Sequence, residues 1–387
     1  MPEANTKSNG MSIDWTPTAA LVAGQVVHLP DGRAAWAPTA IAAAALGAVQ
    51  VSGVVTILKN TSMVMLKGTR LYWDHSASVA TVVFGTSTLD YFLGTVETTT
   101  TSSATTVDVF LNREPVYTVS LKEGFWSVPV DTAGQTQVIG HGNGISMVFT
   151  TTVEAQKQDA LSIRDWPVSA DGILTALICV NLNGDDAEFD LNIGLANGTN
   201  ATNADTITES MFCHIDGNSL NINFESDDGS VEVNATDSTI NFVVGTPFLV
   251  QFDCTDNSDV QVYVDGVAAN TGDTFDLSSA TGPLKLLVHM EKGSNDTPGN
   301  VTIMDMGWTQ FDVYPMAEFD AHETIEDAID AAARGLVKKS SDEIGRSVEY
   351  FSLKELAEAE ARRAANSAAA KSHFGIRMSK CVPPSTG

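Results

Sequence analysis

"VQVYVDGVAAN", residues 260–270, decides the fold class. Two runs of β-forming residues flank Asp265-Gly266, a dipeptide that fits the tight two-residue turn of a hairpin. "PFLVQFDC" (247–254) precedes it with another run of strand length. Working outward, residues 113–315 hold "ILTALICVNL" (173–182), "EFDLNIGLA" (188–196), "SLNINFES" (219–226), "SVEVNA" (230–235) and "LKLLVHME" (284–291), with no helical periodicity. Several of these alternate strictly; from Ser219 to Phe224 the residues Leu220, Ile222 and Phe224 fall on one face. Eight or more such strands joined by polar loops favour a two-sheet sandwich.

Residues 14–112 also read as β-structure, in shorter runs: "LVAGQVVHLPDGRAAW" (21–36), "GAVQVSGVVTIL" (47–58), "LKGTRLYWD" (66–74) and "TTVDVFLN" (105–112). Gly, Asp-Gly and Thr clusters break them, and Pro30-Asp31-Gly32 is a hairpin turn. After residue 315 the period changes. In "HETIEDAIDAAARGL" (322–336), Ile325, Ile329 and Ala332 recur every three or four residues, acids crowd the first turn and Gly335 is placed to stop a helix. A polar hairpin over 337–350 follows, then a second helix opened by the capping box Ser352-Leu353-Lys354-Glu355. The expected architecture is mainly β: a small β-barrel-like domain (1–112), a jelly-roll-like β-sandwich (113–315) and a small α-β-β-α C-terminal module (316–387).

Charge divides the chain the same way. Residues 1–150 carry 7 basic and 10 acidic side chains, residues 151–315 carry 4 and 26, and residues 316–387 carry 10 and 12. A middle segment at −22 repels nucleic acid and anionic membranes, so neither is expected as a partner. Four cysteines without CxxC spacing suit a reducing compartment and no essential disulfide. The first residues lack a basic-then-apolar leader, and the Ala-rich stretch 39–49 is too short to span a bilayer.

The order "WTPTAALVAGQVVHL" (15–29), "AALGAVQVSGVVTILK" (44–59), "LKGTRLYWD" and "LGTVETTTTSSATTVDVFLN" (93–112) resembles a family of small phage capsid decoration and stabilisation proteins. Members read T-P-x-A-x-x-A-G-D-V-V, then G-x-x-x-V-x-G-V, then G-x-x-V-Y-W-D, then V-x-V-x-L. The strand Tyr72-Trp73-Asp74 is the sharpest part, and Gln25 stands where the family often has Asp. The resemblance implies a virion structural role, with the major capsid protein as partner and Tyr72, Trp73 and Asp74 as assembly residues. The pair 247–254 and 260–270 is similar to the concanavalin/laminin-G jelly rolls. "GRSVEYFSLKELAEAEARR" (345–363) resembles siphophage head–tail joining proteins, which adds Arg346, Glu349 and Tyr350, with Arg362 and Arg363 of the basic end, as assembly candidates and portal or neck proteins as partners.

Enzymatic chemistry finds no support in the residues. "GHGNGI" (140–145) is followed by a strand-like run instead of the helix a phosphate loop needs. His322-Glu323 lacks a second histidine at zinc spacing, and no G-x-S-x-G elbow occurs. Asp185, Asp186, Glu188 and Asp190, and separately Asp253, Asp256 and Asp259, are carboxylates in or next to loops that could gather around calcium, although no stretch matches a calcium loop; otherwise no cofactor is expected. Trp126, Trp166, Tyr263 and Trp308 are the aromatics a glycan would stack on, and core packing is the alternative role for each. The expectation is a non-enzymatic virion protein on the capsid surface, made and assembled in the host cytoplasm, self-associating as a homo-oligomer and most naturally a trimer. The alternatives are a neck component acting through 316–387, and a carbohydrate-binding or host-surface adhesion module.

Overall fold

The structure, a computed structural model, describes residues 4–6, 12–83, 85, 87–120, 126–127, 131–132, 135–137, 144–162, 172–184, 189–200 and 203–310. Among these it is mainly β, and every strand pairing is antiparallel. The helix–hairpin–helix expected over 316–387, with Arg346, Glu349, Tyr350, Arg362 and Arg363, lies outside the described residues, as do Asp185, Asp186, Glu188 and Trp166. Residues 1–311 form one compact unit.

Two sheets make up the N-terminal part. A six-stranded sheet runs in the order Ala4–Thr6, Val54–Leu58, Thr106–Leu111, Tyr91–Val96, Arg70–Asp74, Val79–Thr81. A four-stranded one runs Ser12–Trp15, Gly47–Gln50, Ala34–Trp36, Val26–His28. The strict alternation of Val54–Leu58 and Thr106–Leu111 buries Val55, Ile57, Val107, Val109 and Leu111, which pack with Leu71, Trp73 and Leu93. Asn112 ties the two sheets together: its side chain accepts from Ala34 N (2.8 Å) and donates to Ala34 O (2.8 Å) and Val51 O (2.7 Å). It does so from φ 56, a left-handed conformation asparagine tolerates better than most residues. The Pro30-Asp31-Gly32 turn forms as expected, with Gly32 at φ 88 and its N–H donating to Leu29 O (3.0 Å).

The sandwich follows. Its first sheet is ordered Gln135–Gln137, Ile145–Phe149, Gly299–Gln310, Gly172–Leu182, Phe248–Asp253, Gln261–Val264, Val267–Ala269. Its second sheet is ordered Trp126–Ser127, Glu154–Ser162, Lys285–Asn295, Asp190–Ala196, Ser210–Asp216, Asn221–Asp227, Glu232–Asn241. Facing side chains fill the space between: Leu174, Ala176, Ile178, Val250 and Phe252 from the first, and Leu191, Ile193, Met211, Cys213, Ile222 and Phe224 from the second. Phe224 meets Phe252 edge-on across that space, with centroids 5.7 Å apart. Trp308 is 1% exposed and belongs to the core, so no sugar can stack on it. Leu220 departs from the alternation reading: the strand begins at Asn221, and Leu220 is 46% exposed in the preceding turn.

Candidate functional site

The Asp265-Gly266 turn joins the two β-regions. Asp265 (φ 50) and Gly266 (φ 74) both adopt left-handed backbone, and Val264 pairs with Val267 across the turn. The turn presses against the N-terminal part, where Val64 N donates to Gly266 O at 2.7 Å. The outward face of the first sandwich sheet continues this contact. Leu177 and Leu249 belong to the same apolar cluster as Trp73, Leu71 and Met65, and Gln251 Nε2 donates to Thr69 Oγ1 (2.7 Å). Arg70 lies 2.7 Å from Glu114 Oε2 and 3.2 Å from Asp305 Oδ2, which also accepts from Tyr117 Oη (3.1 Å). Burial, reinforced by the Asp305 charge, raises the Tyr117 hydroxyl well above its ordinary pKa, and burial also lifts Tyr72 to about 12. Both phenols therefore stay neutral and serve as hydrogen-bonding groups.

Of the assembly candidates, Tyr72 (7% exposed) and Trp73 (2%) are core residues on the strand that backs this joint. Asp74 ends that strand and holds its turn, accepting from Ser76 Oγ (2.7 Å) and Ala77 N (2.9 Å), which keeps its carboxyl below the usual range. One group of exposed apolar side chains gathers on two turns of the N-terminal part, while others, Leu89, Val116, Val153 and Val243 among them, stand exposed elsewhere. Leu21 and Ile41 exchange backbone hydrogen bonds (2.8 and 3.0 Å), and around them Ala19, Ala20, Val22, Ala40, Ala42 and Leu46 stand exposed, Val22 at 65% and Leu46 at 71%. Gln25 stabilises the first turn by accepting from Val22 N (3.0 Å), so its amide oxygen supplies the acceptor a carboxylate would give. Sequence reading passed over this pair of turns, yet the signal was there: Trp15-Thr16-Pro17-Thr18-Ala19 and Trp36-Ala37-Pro38-Thr39-Ala40 are near repeats.

The outward face of the second sandwich sheet is different. Strand pairing lines up Asp159, His289, Asn192, His214 and Asn223 in one row, and Lys157, Glu291, Asp190 and Asp216 in the next. His289 Nδ1 bonds to Asp159 and its Nε2 lies 3.3 Å from Glu291 Oε2, which also meets Lys157 Nζ at 3.0 Å. His214 is ringed by carboxylates: Nε2 bonds to Asp216 Oδ1 (3.1 Å) and Nδ1 to Glu225 Oε2 (3.2 Å), with Asp205 Oδ1 at 3.5 Å. Burial alone would pull its pKa down, but Asp216, Glu225 and Asp190 outweigh it and carry the imidazole to about 11. Burial pushes Asp190 the other way, to about 7; its Oδ1 sits 3.1 Å from His214 Nε2 without a hydrogen bond, because that N–H is directed at Asp216. Two sets of three side chains, Asp190–His214–Asp216 and Asp205–His214–Glu225, bring ligand atoms close enough to share a metal ion. Asp256 and Asp259 belong to neither set; Asp256 instead accepts from Ser258 N (3.0 Å) and Oγ (2.6 Å) in an exposed turn. Among the described residues no helix is long and apolar enough to cross a membrane.

Comparison with known proteins places the N-terminal part. Residues 7–111, about a quarter of the chain, match the family model for phage cement protein, and the rest lies outside the match. No curated protein matches the chain. Among solved structures, the carbohydrate recognition domain of Emp47p is 11% identical and covers 49% of this chain and 89% of that one at a TM-score of 0.36. The carbohydrate binding module CBM66 from Bacillus subtilis is 7% identical and covers 48% and 96% at 0.33. A protein of unknown function from Shewanella oneidensis MR-1 is 14% identical and covers 49% and 77% at 0.32.

Proposed function

We propose that this chain is a non-enzymatic decoration protein of a phage head, which binds the major capsid protein through the paired turns around Leu21 and Ile41. The observation that carries the reading is the coincidence of the cement-protein match (7–111) with a segment that presents exposed, nearly uncharged apolar turns. Between Ser12 and Gln50 the only charged side chains besides His28 are Asp14, Asp31 and Arg33, whereas the sandwich carries most of the negative charge. Burying Val22 and Leu46 against a shell protein would contribute about 1.5–3 kcal/mol for each side chain fully removed from water. Residues 1–112 then form the capsid-binding part, 113–315 an acidic sandwich that projects from the shell, and 316–387 an appendage. Copies grouped around a symmetry axis, three in the simplest case, would share the contact and strengthen the junction between capsomers. Assembly takes place in the host cytoplasm and the product resides on the virion surface.

The test adds purified full-length chain to shells that lack it and counts bound copies by sedimentation and cryo-electron microscopy. Decoration over the whole shell, with Val22→Asp and Leu46→Asp each weakening binding at least about tenfold, is the expected result. Density confined to one vertex, or full occupancy by the double variant, would overturn the assignment.

A further inference from the structure

The carboxylates around His214 outnumber the positive charge available to them. Asp190, Asp205, Asp216 and Glu225 all lie within 3.5 Å of one imidazole, and Glu291, the next acid in the row, is already paired with Lys157 and His289. Asp190 and Glu225 are the largely buried members, and holding them in such company is costly unless a further cation joins the cluster. Acids alone would not locate a site; Asn192 supplies the second observation. It is fully buried (0% exposed), and its Nδ2 reaches Asp205 Oδ1 (2.9 Å), Glu225 Oε1 (2.7 Å) and His214 Nδ1 (3.3 Å). Its Oδ1, on the same amide head, has no hydrogen-bond partner. It is Nδ2 that faces these three groups; turning the amide over would bring the unpartnered Oδ1 among them, an exchange that a cation there would favour.

We propose that Asp205, His214 and Glu225, with Asn192 Oδ1 as a further oxygen once its amide turns over, bind a divalent transition-metal ion of the manganese or zinc type. One imidazole with several oxygens is the donor set such ions accept, whereas calcium takes oxygens alone. The spacing agrees. Donors at about 2.0–2.2 Å from a shared ion, disposed octahedrally or tetrahedrally, are about 2.8–3.6 Å apart, and His214 Nδ1 stands 3.2 Å from Glu225 Oε2 and 3.5 Å from Asp205 Oδ1. An entry path exists: a cavity of about 200 Å³ is lined by Asp205, Glu225, Asp227 and Glu232, four carboxylates that draw cations inward. The ion would displace the proton on His214 Nδ1, so uptake strengthens as pH rises. It would also pin the 204–206 turn, which carries Asp205, onto the sheet.

The experiment strips the full-length chain with chelator and titrates it with manganese, following loss of the free-ion paramagnetic signal, with zinc as competitor. Uptake of a single ion, displaced by zinc and weakened at least about tenfold in Asp205→Asn and His214→Gln, is the expected result. Asp256→Asn, in an exposed turn elsewhere, should bind as the parent does. Asp205 is partly exposed, so Asp205→Asn keeps the fold even where His214→Gln does not, which metal-free melting curves check. No uptake, uptake that Asp205→Asn leaves unchanged, or equal loss in Asp205→Asn and Asp256→Asn would each overturn the site.

Discussion

Replacing Gly266 by alanine tests whether the two β-regions are held as one body by the hairpin turn. The substitution acts twice. At φ +74 a residue with a Cβ costs about 1–2 kcal/mol more than glycine. The new Cβ would also stand 2.7 Å from Val64 O, a backbone atom that cannot swing aside, so the turn must back away and stretch the Val64 N to Gly266 O bond. Losing that bond adds about 0.5–1.5 kcal/mol. The expected total is about 2–3 kcal/mol, read from urea unfolding. Gly32→Ala is the control: its φ is +88, but nothing lies within 4 Å of the added Cβ, so it reports the backbone cost alone. Hydrogen exchange at the Val64 amide should quicken in Gly266→Ala and stay slow in Gly32→Ala. Equal destabilisation by the two variants, with Val64 still protected, would refute the docking role of the turn.

Arg70→Met should cost about 2–4 kcal/mol in the same assay, because Asp305 is left buried with Tyr117 as its remaining partner, and the cost should shrink in an Asp305→Asn background. Asn112→Ala should lose about 2–3 kcal/mol, combining three side-chain bonds with a left-handed φ, while Asn112→Gly should recover about 1 kcal/mol by relieving the backbone alone. His289 sets a pH dependence. Burial opposes its charge, but Asp159 and Glu291 prevail and raise it to about 9. Asp159 faces it from the strand Glu154–Ser162, Glu291 from its own strand with Lys157 alongside, and neutral Asn192 from Asp190–Ala196. A histidine raised in the folded state adds stability that is complete below its unfolded value of about 6.5 and lost as pH climbs through about 9. The melting-temperature difference between parent and His289→Gln should therefore shrink between pH 6.5 and 9.5; a constant difference would contradict it.

Local chemistry was legible in the sequence, and long-range placement was not. The Asp265-Gly266 and Pro30-Asp31-Gly32 turns could be read because positive φ is a property of a residue or two, and both appear with the expected backbone. The mainly-β class followed from run length. Leu220 shows the limit of alternation: it has the right period for the core face, but the strand starts one residue later. The Tyr72-Trp73 pair marked the family without marking its surface, since an aromatic pair on a strand signals packing as readily as contact. The row containing His214 was out of reach for a different reason. Period two separates Cys213 from His214, yet Asp159 and His289 lie 130 positions apart and meet only through the strand order of the second sheet. Nothing in either strand alone sets that order.

The two outward faces of the sandwich divide the molecule's work on the proposed reading. The first sheet's outward face is covered by the N-terminal part at Leu177, Leu249, Gln251 and the Gly266 turn. The second sheet's outward face turns the other way and carries Asp190, His214, Asp216 and Glu225. A domain that binds a shell through uncharged turns could hold an acidic sandwich beside it without setting charge against charge at the contact, because Asp190, Asp216 and Glu225 sit on the sheet remote from the joint, where Asp305 is paired with Arg70. The joint matters as much as the contact. With Arg70, Thr69 and Val64 all bonded to the sandwich, a load on one part passes through packed side chains and hydrogen bonds into the other. Weakening the joint should therefore leave shell binding intact and free the sandwich to reorient, whereas weakening the Leu21–Ile41 turns should release the whole chain.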